Sequence, residues 1–209
     1  MKTLLMAGMM ALFIPAGGFS KDSPAPALHV AVFEQSGVAP EVLEDAIAIA
    51  RETFHKAGIE TDWSVCRSTE NLSGRCEPPC ASVTLSLMLE PKAVPPGHAG
   101  EPKGKILGFA LREPSGRPLP VAYVFYGTVS RVTGSIGKNA ALALGCTLAH
   151  EIAHLMGLDH SPSGVMHAFI DDQDLRLVAA GLGFRPDQIK VLRAGLPVLL
   201  ATLPVPLRR

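Results

Sequence analysis

Apolar and polar positions along the chain change period several times, and each change marks an element. LHVAVFE (28–34) alternates and is rich in valine, which predicts a strand. From Pro40 the period lengthens. Leu43, Ile47, Ala50, Phe54 and Ala57 recur at helical spacing, Glu41, Glu44 and Asp45 occupy the first turns, and Gly58 closes the run. This predicts an amphipathic helix over 41–57. Short apolar or alternating runs return at IETDWSV (59–65), VTLSLML (83–89), ILGFALR (106–112) and VAYVFYG (121–127), predicting four more strands. They are separated by a cysteine-containing loop (66–80), a Pro/Gly-rich loop, PKAVPPGHAGEPKGK, and a turn region, EPSGRPLP. Residues 138–156 are apolar nearly all round, the pattern of a helix buried through the middle of a domain. Residues 172–180 and 186–194 read as two further helices, with Gly181 and Gly195 as stops. No internal repeat is visible, and a single domain over 28–209 is expected.

The chemistry sits in the buried segment, at HEIAHLMGLDH. His150 and His154 are four residues apart, so on a helix they share one face and offer two sides of a zinc tetrahedron. Glu151 stands beside the first ligand, placed to take a proton from a metal-bound water. Gly157 can adopt the left-handed conformation that ends a helix, returning the chain so that His160 supplies a third imidazole. A fourth position then stays open, as a catalytic zinc needs. Histidines on a helix face are often ordinary core residues, and H-E-x-x-H alone arises by chance. The added glycine and third histidine at fixed spacing outweigh that reading. No Glu follows Glu151, so a downstream glutamate ligand is excluded. Asp159, Asp171, Asp172 and Asp174 remain alternatives to His160, with poorer spacing.

This string resembles the metzincin clan of zinc endopeptidases, whose pattern continues into a methionine turn; here SPSGVMHA follows, with Met166 as the turn residue. Within the clan the short gap from His160 to Met166 is most similar to matrixin-like and other small bacterial members. HSPSGVM, DDQDLRLVAAGLGFRPDQ and IETDWSVC also resemble small secreted bacterial proteins. The chain departs from matrixins in lacking a Pro and Tyr soon after Met166 and a pro-segment with a cysteine switch. The resemblance implies an α+β fold: a twisted, mixed five-stranded sheet, a helix after the first strand, a central zinc helix, and an irregular or helical C-terminal subdomain. It also implies one catalytic Zn²⁺, a methionine floor beneath the metal, and an edge strand, within 106–112, that pairs with an extended peptide substrate. Tyr123 and Tyr126 are possible oxyanion partners, but their alternation with apolar positions reads as packing. His29, His55, His98 and His167 have no partner at ligand spacing; His167, directly after Met166, is placed to touch the site, although an ordinary packing role is the stronger reading.

Charge excludes one class of partner. With 19 basic and 19 acidic residues and no basic stripe, nothing suggests nucleic acid. Residues 1–20 have Lys2 ahead of an apolar stretch, Leu4 to Ile14, too short to span a bilayer, followed by Ala16, Gly17, Gly18 and Ser20. They are expected to be a signal peptide, with 21–27 a flexible lead-in, and the protein to be secreted or periplasmic. The C-terminal stretch LPVLLATLPVPLRR is broken by Pro197, Pro204 and Pro206, so no stable membrane insertion is expected. Export permits disulfides. Of Cys66, Cys76, Cys80 and Cys146, the expected pairs are Cys66–Cys76, which closes a short loop, and Cys80–Cys146, unless Cys146 is a buried thiol. The leading expectation is a monomeric, secreted endopeptidase acting on peptides or proteins. The alternatives are a zinc-stabilised binding protein without turnover, against which the intact Glu151 argues, and an exported amidase acting on cell-wall peptides.

Overall fold

The computed structural model describes residues 27–67, 82–90, 106–136 (side chains to 131) and 140–203. The elements run β1 (Leu28–Gln35), α1 (Pro40–Lys56), β2 (Thr61–Arg67), β3 (Ser82–Met88), β4 (Gly108–Arg112), β5 (Pro118–Phe125), α2 (Tyr126–Ile136), α3 (Ala140–Leu155), α4 (Asp172–Ala179) and α5 (Pro186–Thr202). Five strands form one mixed sheet in the order β2-β1-β3-β5-β4. Four are parallel, and β4 lies antiparallel to β5 at one edge.

Strand alternation places the core. Val83, Leu85 and Leu87 of β3 and Ala122 and Val124 of β5 are fully buried, while Thr84, Ser86 and Tyr123 face the other, half-covered side. Helices α1 and α3 cover the apolar face. They meet closely at Gly145, where a Cβ would come within 2.7 Å of the Ala46 carbonyl oxygen. Nearly all of α3 from Leu142 to Leu155 is buried, as its unbroken apolar pattern predicts. Helix α1 ends where expected: Gly58 takes φ +71° and its N–H bonds to the His55 carbonyl.

Two elements differ from the sequence pattern. The strand expected over 121–127 stops at Phe125, and the chain turns straight into α2, which the sequence conceals. YGTVSRVTGSI is rich in β-branched and small residues, whose local preference is overridden by burial of Thr128 and Val129. The last helix does not stop at Gly195. It continues through Pro197 to Thr202, held down by buried Leu199 and Leu203. Gly195 instead permits a close approach: a Cβ there would lie 1.9 Å from the Met156 carbonyl oxygen. Among the described residues, no helix is long and apolar enough to cross a membrane.

The cysteines also correct an expectation. Cys146 is a free, buried thiol on α3, so the Cys80–Cys146 bridge does not form. Burial, and then the charge of Asp174, push this thiol up to about 12. Cys66 is fully buried and disulfide-bonded. Its partner, like Cys76 and Cys80, lies outside the described residues, so the expected Cys66–Cys76 pairing lies outside them too. The expected signal peptide and residues 21–26 of the lead-in also fall there.

Candidate metal centre

Helix α3 carries His150, Glu151 and His154 to the edge of the core beneath β4. After Leu155 the chain stops winding. Gly157 takes φ +88°, its N–H bonds to the His154 carbonyl, and the Leu158 N–H reaches back to Ala153. This turn returns His160 to the two helical histidines. The three rings lie with centroids 4.5, 5.3 and 4.8 Å apart, and their ligand nitrogens all fall within 4.8 Å of one another. The structure thus brings together the three histidines picked out by the motif, and His160 rather than an aspartate completes the group.

Main-chain acceptors fix the ring orientations. His150 Nδ1 donates to the Val165 carbonyl at 2.7 Å and His154 Nδ1 to the Leu158 carbonyl at 2.6 Å. Each Nε2 is thereby left with its lone pair facing the other, 2.9 Å apart. Two imidazole nitrogens at that separation, each with its proton on the far side, lack a hydrogen between them and suit a shared cation. Electrostatics agree. Burial, then the neighbouring His154, push His150 down to about 3 despite the opposing Val165 bond. Burial also pushes His154 down to about 4. Both rings are therefore held as neutral ligands.

Glu151 is buried, and its Oε2 has no hydrogen-bond partner among the described residues. Burial raises its carboxyl well above the ordinary range. An orphaned buried carboxylate oxygen beside three converging imidazoles fits a site built around a cation and its water. The residues therefore fit zinc. Gly108 on β4 forms the roof over this carboxyl, where a Cβ would lie 2.7 Å from Glu151 Oε1 and 2.6 Å from the Tyr123 carbonyl oxygen. The one sequence signal was a glycine inside a strand, which often marks close backbone approach.

Met166 is completely buried, next to Val165, whose carbonyl orients His150. Its own carbonyl accepts from Ser161 N–H at 2.8 Å, closing the turn after His160. Tyr123 stacks on Phe109 across β4 and β5 with centroids 4.9 Å apart, and Tyr126 packs against the core, so both serve packing. Spacing alone gave no role to Arg112 and did not show the pairing of His167 with Asp174. Arg112 lines the cleft and reaches the His154 carbonyl at the C-terminal end of α3, 3.5 Å away. His167 also lines the cleft and bonds to buried Asp174 at 2.5 Å.

No family model matches the chain, and no curated protein matches it. Among solved structures, archaemetzincin from Methanopyrus kandleri aligns with a TM-score of 0.55 at 18% identity, covering 82% of this chain and 96% of that one. A zinc-dependent peptidase from Methanocorpusculum labreanum aligns with a TM-score of 0.46 at 17% identity, covering 78% of this chain and 99% of that one. At this identity it is the fold that is shared: an α+β chain with a five-stranded mixed sheet, similar to that of archaemetzincin.

Proposed function

We propose that the chain is an exported, monomeric zinc endopeptidase with one catalytic ion held by His150, His154 and His160. The carrying observation is the convergence of three imidazoles beside a buried glutamate whose Oε2 has no partner among the described residues. Zinc bound there would acidify a water and polarise a carbonyl. Glu151 takes a proton from the attacking water as the water oxygen joins the peptide carbonyl carbon and the carbonyl π pair moves onto its oxygen. The C–N bond then breaks as the amine takes that proton from Glu151, leaving an acid and an amine. Among the described residues β4 has a neighbour on one side only, β5, and its residues 108–112 line the cleft. An extended peptide adds to its outer edge through main-chain bonds, with Phe109, Leu111 and Phe169 offering apolar contacts. The archaemetzincin-like fold supports the peptidase reading. The apolar N-terminal stretch and the disulfide at Cys66 support export.

The test is incubation of zinc-loaded protein with a diverse peptide library, with mass spectrometry of the products. Internal cleavage that falls roughly 100-fold or more in Glu151→Ala, with zinc content retained, is expected for loss of a general base. Full activity in Glu151→Ala would refute the mechanism.

A further inference from the structure

His167 is not one of the three converging histidines, yet it is built into the same cleft. Its ring is a quarter exposed and borders the space lined by His150, Glu151, His154 and His160. Its Nδ1 is turned away, onto Oδ2 of Asp174, whose side chain is 4% exposed. Asp174 is itself pinned: Oδ1 accepts from Gly164 N–H at 2.7 Å, and Oδ2 from Asp171 N–H at 3.2 Å. The His167 backbone is fixed as well, by its N–H to the Gly164 carbonyl at 2.9 Å and by a bridge to Ser161. His167, Asp171 and Asp174 lie close enough to hold a cation, but both Asp174 oxygens already accept hydrogen bonds from the protein and the His167 nitrogen already faces Asp174. The cluster is an orienting network rather than a second metal site.

A ring with one nitrogen locked onto a buried carboxylate presents the other to the opposite side, here the cleft. Of the other cationic side chains lining the cleft, Arg112 is engaged with the Gly116 and His154 carbonyls and faces Asp159 at 3.9 Å. Tyr123 is held in its stack on Phe109. We propose that His167 is a catalytic residue, its Nε2–H donating to the substrate carbonyl oxygen as that oxygen becomes an oxyanion, with Asp174 as its positioning residue. When both ring nitrogens carry protons, Nδ1–H stays on Asp174, whose carboxylate balances the charge, and Nε2–H faces the developing negative oxygen. Such a donor acts on the transition state more than on the planar amide. This inference rests on the peptidase reading and is tested apart from it.

The experiment compares zinc-loaded wild type, His167→Leu and His167→Gln. The probes are a phosphinic pseudopeptide, whose tetrahedral anion mimics the oxyanion, and acetohydroxamate, which is planar. Calorimetry should show His167→Leu binding the phosphinate roughly 10- to 100-fold more weakly, with hydroxamate affinity unchanged. His167→Gln, which keeps an N–H, should recover most of the loss. On any peptide the wild type cleaves, kcat should fall in His167→Leu with KM nearly unchanged. A phosphinate that binds wild type no more tightly than His167→Leu would overturn the proposal. So would joint loss of zinc or thermal stability in both variants, which would assign His167 to holding the turn. If wild type cleaves no peptide yet shows the phosphinate difference, the peptidase reading fails and the His167 contact stands. If it cleaves peptides and His167→Leu matches it in both readouts, the contact fails alone.

Discussion

Stripping the metal should make the fold acid-sensitive in a way that counts the protons of the site. In the metal-free protein His150 is pushed down to about 3 and His154 to about 4, against 6.5 for an exposed imidazole. Below pH 6.5 the unfolded chain therefore binds protons that the folded one refuses. The histidine contribution is complete above 6.5 and is lost as pH falls from there, down to about 4 for His154 and about 3 for His150. Each imidazole costs about 1.4 kcal/mol per pH unit, so the pair costs about 5 kcal/mol between pH 6.5 and 4.5. Glu151 works in the opposite sense. Its folded-state pKa is raised, so its contribution is complete below 4.5 and is lost as pH rises above that value. Acidification thus costs the histidines while relieving the glutamate, and the wild-type slope is the shallower for it. Glu151→Gln removes the relief and should show the steeper loss. Urea unfolding in excess chelator at pH 6.5 and 4.5 measures both, because carboxylates elsewhere cancel between the two proteins. Equal slopes, or a shallower slope in Glu151→Gln, would refute this electrostatic account of the site.

Three further outcomes are expected. His154→Ala should lose both zinc, by elemental analysis, and peptide cleavage, since it removes one of only three imidazoles. Cys146, with its thiol pushed up to about 12, carries on the order of one thiolate in ten thousand at pH 8, so mass mapping should find it unlabelled by iodoacetamide until the protein is denatured. Gly195→Ala would drive a methyl group into the Met156 carbonyl and should cost about 3 kcal/mol in urea unfolding.

The site was more legible in the sequence than its surroundings. A four-residue histidine spacing has one meaning on a helix, and a glycine three residues after His154 has few uses besides a turn, so His150, Glu151, His154, Gly157 and His160 could be placed by local geometry alone. The alternating strands and the all-round apolar α3 were readable because periodicity reports burial directly. What could not be read depends on distant partners. Helix α2 is made of residues with strand preference and is held by tertiary burial. Gly195 looks like a helix stop, yet its meaning lies in Met156, far away in sequence. Asp174 looks like any acidic residue at a helix start, and in part it is one, capping α4 with Asp171. Only folding shows that the same carboxylate grips His167. Of the two readings of Cys146, bridged to Cys80 or a buried thiol, the second holds, and only the packing of α3 decides between them.

The acceptors that orient His150 and His154 are the main-chain carbonyls of Val165 and Leu158, not side chains. A peptide carbonyl is present whatever residue occupies the position. Drift at 158 or 165 can therefore alter packing without deleting the acceptor, whereas a site relying on an aspartate would lose it to a single codon change. The mutational exposure of this support moves to the backbone path that presents those carbonyls, and so to Gly157 at φ +88° and Gly164 at φ +80°. Nothing lies within 4 Å of where a Cβ would project at either. Conformational strain rather than crowding would penalise replacement there, and asparagine, which tolerates the left-handed region best among the other residues, is the substitution lineages could accept while keeping the two imidazoles aligned.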